Sequence, residues 1–391
     1  MVYEEINMGI KTLEGKYTNA TLFLSNNVEN NIDEYALAQI QMLCDNQSAE
    51  GCRIRVMPDV HPGKGCTIGM TMTVGKKLMP NIVGIDIGCG MRLAKLKSQK
   101  AEFQKLDTVI RENIPSGFNI RGSVHHYADE IDLSELHCYK HINEQKALCS
   151  LGTLGGGNHF IELDKDENGD VFLIIHSGSR HLGLEVTDYY LHKGNELLKQ
   201  KGEDIPYELT YLEGELLQEY IDDLLVVQKF AELNRAAMMN ELVKGMKFKV
   251  TEEYECIHNY LDTETVIDGE TVHVIRKGAI SAKYGEKVII PINMRDGVIL
   301  ATGKGNEAWN CSAPHGAGRI YKRSDVKENF TVSDYKKVMK GIYSTCIDST
   351  TLDEAPFVYR NINDIQEVIH ETVNIDSILK PIYNFKAGGK K

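Results

Sequence analysis

Five short segments put glycine beside histidine or cysteine: HPGKGCTIG at 61–69, GIDIGCGM at 84–91, GTLGGGNHF at 152–160, HSGSRHLG at 176–183 and HGAGR at 315–319. Glycine lets the backbone turn sharply and approach a ligand closely, at a conformational cost that folding alone would avoid. The five segments are therefore read as loops around one shared site. Asp86 and Cys89 lie three residues apart on one of them. A carboxylate and a thiolate so spaced can point at one spot, and a thiolate can bridge two divalent ions. His159 follows a run of three glycines and Asn158, His176 ends the apolar run VFLII, and His258 lies in ECIHNY. Each histidine alone is more often a satisfied polar residue than a ligand. Together, one Asp, one Cys and three His suit a pair of Mn(II), Zn(II) or similar ions and not a Ca(II) cage.

Nucleotide-binding motifs of the common kinds are absent. Gly69 to Lys76 and Gly297 to Lys304 look like a P-loop, but each has five residues between its glycines where the motif needs four, and neither has Ser or Thr after the Lys. GIDIGCG lacks the GxGxxG spacing of a dinucleotide turn. Arg180 and Arg319 sit inside two of the loops, where phosphate contact competes with an ordinary surface role. Asp59 is a weaker candidate for supporting the site.

The elements that must position these loops are partly legible. Leu216, Leu217, Tyr220, Ile221, Leu224 and Leu225 recur at helical spacing and predict a core-packing helix from about Glu213 to Lys244. Val171–Ile175, Val272–Ile275 and Val288–Ile292 are rich in β-branched residues and read as strands. Strands and helices do not alternate regularly, so the expectation is an α+β fold of mixed sheets with flanking helices, neither Rossmann nor P-loop, in one domain over residues 1–391. At 391 residues, 42% apolar and 26% charged, the composition is that of an ordinary globular protein. No apolar run approaches the ~20 residues of a membrane-spanning helix. Nine cysteines without any CxxC pair fit reduced thiols and a cytoplasmic location. A net charge of −12 argues against coating nucleic acid by bulk positive charge, but not against a basic lining around a few phosphates.

MPDVHPGKGCTIG, VGIDIGCGM, LGTLGGGNHFIE, IHSGSR, IHNY, RKGAISA and PHGAGR together resemble, in order and context, the RtcB family of 3′-phosphate RNA ligases, over roughly residues 50 to 386. The resemblance implies an RtcB-like fold and two Mn(II) per chain. In it Cys89 bridges the ions, Asp86 and His258 complete one site, and His159 and His176 the other. It implies GTP as co-substrate and His315 as the nucleophile that carries GMP. Around the guanylate it implies Asn158, His159, Phe160, Ile161, Glu162, His258, Asn259, Gly316, Ala317 and Gly318, with Lys386 contacting the base, although the usual member ends directly after Lys-Gly. Where other members read Pro-Gly-Ser-Met-Gly, this chain reads Pro291-Ile292-Asn293-Met294-Arg295-Asp296-Gly297. That alters Pro291, Ile292, Asn293 and Met294, the segment expected to line the nucleotide pocket. The implied partners are RNA with 3′-phosphate or 2′,3′-cyclic phosphate ends and 5′-hydroxyl ends, with room for an archease-like activator, in RNA repair or tRNA splicing.

Two other classes compete. A dinuclear metal-dependent phosphoester hydrolase would use the same Asp, Cys and His ligands but would not need the HGAGR histidine or Lys386. A noncatalytic RNA-binding factor would be expected to display a basic, aromatic-rich surface. His125, His126, His137, His141, His192, His273 and His370 lie outside every glycine-rich segment and are expected to be structural.

Overall fold

Val171–Ser177 shows why the fold takes the form it does. Its run VFLIIHS carries no polar alternation, and every one of its residues is buried. A strand covered on both faces needs no solvent side. Ile174 packs with Leu93 and Phe172 on one face, while Leu173 and Ile175 pack with Ala94 and Leu163 on the other. At ~1.5–3 kcal/mol for each fully buried aliphatic side chain, this one strand anchors much of the centre.

The computed structural model describes residues 9–97 and 102–388. Val171–Ser177 lies in a seven-stranded sheet, antiparallel throughout, in the order Val250–Ile257, Gly90–Leu96, Val171–Ser177, Phe160–Lys165, Val373–Lys386, Gly297–Gly303, Lys287–Asn293. A six-stranded sheet runs Gly9–Glu14, Asn19–Leu24, Ile54–His61, Ile68–Thr73, Glu270–Lys277, Asn259–Ile267, with one parallel pair between the second and third of these strands. The architecture is α+β with mixed sheets, as expected, and it has none of the parallel winding of a dinucleotide-binding fold. All three strands expected from sequence are present, slightly extended.

The two sheets meet at His258. Val250–Ile257 is the edge of one and Asn259–Ile267 the edge of the other, so the chain changes sheet across this single residue. The expected helix spans Gly214–Met246 and stops at Lys247, which adopts a left-handed cap at φ 57°. Its first half packs with the core under the six-stranded sheet, and its second half with the core under the seven-stranded one. No helix among the described residues is long and apolar enough to cross a membrane. All nine cysteines are buried free thiols.

Candidate functional site

The Gly214–Met246 helix does more than fill a core, because Asn234 and Arg235 sit fully buried in its middle. Asn234 Oδ1 accepts from the Gly152 and Thr153 amides at 2.8 and 3.0 Å, and its Nδ2 donates to the Gly178 carbonyl at 2.9 Å. Arg235 Nη1 donates to the Gly88 carbonyl at 2.6 Å and to the Ser177 carbonyl at 3.0 Å, while Glu255 pairs with the rest of its guanidinium. Two adjacent side chains thus tie three glycine-rich loops to one rigid element. The close approach explains two glycines. Gly88, at φ +71°, has room for no side chain, since a Cβ there would lie 2.8 Å from Ala231 Cβ. A Cβ on Gly178 would lie 2.2 Å from Asp86 Oδ1.

The loops converge as the sequence implies. Cys89 Sγ lies 3.5 Å from His159 Nε2 and 3.3 Å from His176 Nε2. Cys89, His159, His176 and His258 are all at least nine-tenths buried. His159 Nδ1 donates to the Leu154 carbonyl at 2.7 Å and His176 Nδ1 to the Asn158 carbonyl at 3.1 Å. Those bonds fix the tautomers inferred for the two rings and leave each Nε2 a lone pair directed inward. His176 Nε2 meets His258 Nε2 at 3.2 Å, and His159 Nε2 meets Asp86 Oδ2 at 2.9 Å. Imidazole nitrogens, a carboxylate and a thiol thus converge in a largely buried pocket, a donor set that fits divalent cations.

The electrostatics agree. Burial, reinforced by neighbouring imidazoles, holds His176 and His258 well below the usual histidine range, which keeps them neutral. Burial would raise the Asp86 carboxyl, yet His159 in its protonated form, the Cys89 thiol and the Arg180 charge bring it down to about 2 while no cation is bound. Burial and then the Asp86 charge push the Cys89 thiol well up. A bound cation reverses that last effect, because a coordinating thiol is deprotonated outright.

Cys89, His159 and His176 offer ligand atoms within 4.8 Å of one another, the second set that the resemblance implies, and two closer pairs also form in the cluster. Asp86 touches His159, and His176 touches His258. The reason lies in strand register. His176 is opposite Met91 across the sheet, beside the strand Val250–Ile257 that delivers His258, whereas His159 precedes its strand and reaches the Asp86 side.

His315 follows the short strand Ser312–Pro314 and is held by Asp59, which is fully buried. One carboxylate oxygen, Asp59 Oδ2, accepts from His315 Nδ1 at 2.7 Å and from the His315 and Gly316 amides at 3.1 and 3.2 Å. Nδ1 is thereby spent on Asp59, and Nε2 is the free, nucleophilic nitrogen. The His315 ring centroid is 4.9 Å from that of His258, directly beside the ligand cluster.

A cavity of about 1220 Å³ opens on this edge. Asp86, Asn158, Phe160, Glu162, His176, His258, Asn259, the Pro291–Met294 segment, His315–Gly318 and Lys386 all line it. Lys64, Lys277, Arg319, Lys322, Arg323 and Arg360 line it as well, so with Lys386 the wall carries seven basic side chains against the five carboxyl groups of Asp33, Asp86, Glu162, Asp325 and Asp364. Lys386 Nζ is 2.9 Å from Glu354 Oε2 and lies over the Phe160 ring at 5.5 Å. Glu354 is buried and also pairs with Arg319 and Arg323. Burial opposes its charge, but Lys386, Arg323 and Arg319 hold its carboxyl far below the usual carboxylate range. Burial raises the Glu162 carboxyl above the usual carboxylate range, with the bond to Asp164, then Asn384 and Lys386, opposing that rise.

Three expected contacts fall elsewhere, and the first, His159, sits in the ligand cluster against Asp86 and Cys89 and not on the cavity wall. Ile161 faces away from the cavity into the core with Leu163, Leu173 and Ile175, because strand alternation puts Phe160 and Glu162 on one side and Ile161 on the other. Arg180 is turned inward, bonding Thr153 Oγ1 and the Gly117 carbonyl, so it ties loops together and does not line the cavity. In the departing segment, Asn293 Oδ1 accepts from the Arg295 and Asp296 amides, so its side chain caps its own turn. Asp59, placed only weakly by sequence, is central. Glu354 and Arg360 carried no sequence signal, since no glycine pattern or unusual chemistry surrounds them.

The histidines expected to be structural are remote from the cavity. His125 bonds Glu241 at 3.1 Å, His137 pairs with Asp222, His192 with Glu196 and His370 with Glu371. Alanine at any of these positions is expected to leave ligation within about tenfold of wild type, ~1.4 kcal/mol of barrier. A larger loss in a variant with an unchanged unfolding midpoint would reveal a site residue outside the cavity.

Comparison with known proteins gives the family. A family model described as tRNA-splicing ligase RtcB matches residues 47–387. The chain is 33% identical over 365 residues to the RNA-splicing ligase RtcB of Escherichia coli strain K12, covering 84% of this chain and 88% of that one. It is 32% identical over 364 residues to RNA-splicing ligase RtcB1 of another Escherichia coli strain, with the same coverages. The tRNA-splicing ligase RtcB of Nanoarchaeum equitans is 27% identical over 403 residues, covering 81% of this chain and 84% of that one.

Proposed function

We propose, from the premise that the chain belongs to the RtcB family and is an RNA ligase, that it uses GTP and two Mn(II) to join RNA 3′-phosphate or 2′,3′-cyclic phosphate ends to 5′-hydroxyl ends through GMP carried on His315. The observation that supports this best is the Asp59–His315 pair. A buried carboxylate bonded to Nδ1 orients the ring, stabilises positive charge as it develops, and leaves Nε2 open to the cavity. A hydrolase using the ligand cluster alone would have no need of so elaborately held a histidine.

In this reading Asp86, Cys89 and His159 would hold one ion, and Cys89, His176 and His258 the other, following the contacts in the cluster. When bound, the ions supply Lewis-acid stabilisation of phosphoryl charge. His315 Nε2 attacks the α-phosphorus of GTP, and pyrophosphate leaves with the bonding electron pair. An oxygen of the RNA 3′-phosphate then takes GMP from His315, and the 5′-hydroxyl of the second end displaces GMP. A cyclic phosphate is opened to the 3′-phosphate first. Glu162 and Lys386, which both line the cavity, are the groups for the guanine edge. The exposed lysines and arginine of the wall, Lys64, Lys322 and Arg323, receive RNA phosphates.

The test is incubation of the pure protein with Mn(II) and GTP labelled at the α-phosphate. Acid-labile, covalently bound GMP is the expected product, and its absence at saturating metal and nucleotide would overturn the reading.

A further inference from the structure

We propose that His61 is the general base of the sealing step, taking the proton from the 5′-hydroxyl that attacks the activated RNA 3′ end. The assignment rests on the function proposed above and adds a residue to it. His61 closes the strand Ile54–His61, two residues after Asp59. Its Nδ1 lies 2.8 Å from the Asp59 backbone carbonyl, so the ring N–H donates there and Nε2 keeps its lone pair. His315 Nδ1 is bonded to the carboxylate of the same residue at 2.7 Å. Asp59 therefore anchors two imidazoles at once, one through its main chain and one through its side chain.

The two rings are nearly parallel, 17° apart, with centroids separated by 6.4 Å, and both line the cavity. Among the described residues none bonds His61 Nε2. A nitrogen that only accepts is a poor partner for phosphate oxygens, which also only accept. It suits a hydroxyl. The 5′-hydroxyl is the substrate group that the sealing step must deprotonate. The phosphorus it attacks is one phosphate removed from the phosphorus His315 carried, and the gap between the rings leaves space for that displacement.

The step balances. The hydroxyl oxygen forms a bond to the RNA 3′-phosphorus, its proton moves to His61 Nε2, and the bond between that phosphorus and the GMP oxygen breaks. GMP leaves with the electron pair, and His61 returns the proton to solvent. Asp59, His315 and Arg360 are the charged and titratable groups that face His61. Burial pushes His61 down to about 4, so the base form is present at neutral pH, and the phosphoanions of the two RNA ends would stabilise the imidazolium as it forms.

The test uses full-length wild type, His61→Ala and His61→Asn with Mn(II). Labelling by GTP alone reads the first step, and sealing of RNA already carrying a 3′-diphosphoguanosine end onto a 5′-hydroxyl end reads the last. Labelling is expected to stay within about tenfold of wild type while sealing falls about 10²–10⁴-fold. The pH dependence of sealing should flatten on its acid side in both variants, and added imidazole should restore part of the rate in His61→Ala. Normal sealing in His61→Ala, or an equal fall in labelling and sealing, would overturn the assignment and leave the ligase reading intact. A wild-type enzyme that neither labels nor seals would overturn both.

Discussion

His315→Ala is expected to lose enzyme–GMP formation and end joining from GTP by more than about 10⁴-fold, ~5 kcal/mol of barrier, while both metal ions remain bound. The two effects separate because His315 sits beside the ligand cluster and not in it. Its Nδ1 is bonded to Asp59, and its nearest neighbour in the cluster is the His258 ring at 4.9 Å between centroids. Metal content measured on the purified variant should therefore match wild type. RNA already carrying the 3′-diphosphoguanosine end bypasses the missing nucleophile chemically, and His315→Ala should seal it. Labelled enzyme–GMP in this variant would mean that another residue is the nucleophile.

Cys89→Ser is expected to lose both ions, the largest effect of any single ligand change. Cys89 Sγ is within 3.5 Å of the reaching nitrogens of both His159 and His176, so it alone touches both halves of the cluster. A serine hydroxyl does not ionise readily enough to bridge two divalent ions, whereas a thiol does so once a cation is bound. His176→Ala should weaken mainly the ion it would share with His258 and spare the one held by Asp86 and His159. The check is the metal-to-protein ratio after gel filtration. Two ions per chain in Cys89→Ser would sink the bridging role. Sealing of pre-activated RNA should fail in Cys89→Ser, in contrast to His315→Ala, which separates loss of the metal centre from loss of the nucleophile.

The sequence by itself singled out the candidate residues of the site. Asp86, Cys89, His159, His176 and His315 stood out because reactive side chains lie on glycine-rich turns, which folding alone would not favour, whereas His258 was singled out only as a third histidine, outside any such turn. The strand Val171–Ser177 and the helix Gly214–Met246 were legible too, since β-branched runs and helical periodicity are local properties. What only the tertiary structure decided was which groups meet. Asp59 and His315 are 256 positions apart, and their bond exists only because the strands Ile54–His61 and Ser312–Pro314 bring their ends together. Glu354 gathers Lys386, Arg319 and Arg323 across loops with no shared pattern. Asn234 and Arg235 read as two polar residues in an ordinary core helix, yet they fix three loops of the site. Ile161 and Arg180 face away from the cavity for the same physical reason. A motif specifies residue type and spacing, while the direction of each side chain is set by strand register and by what packs against it.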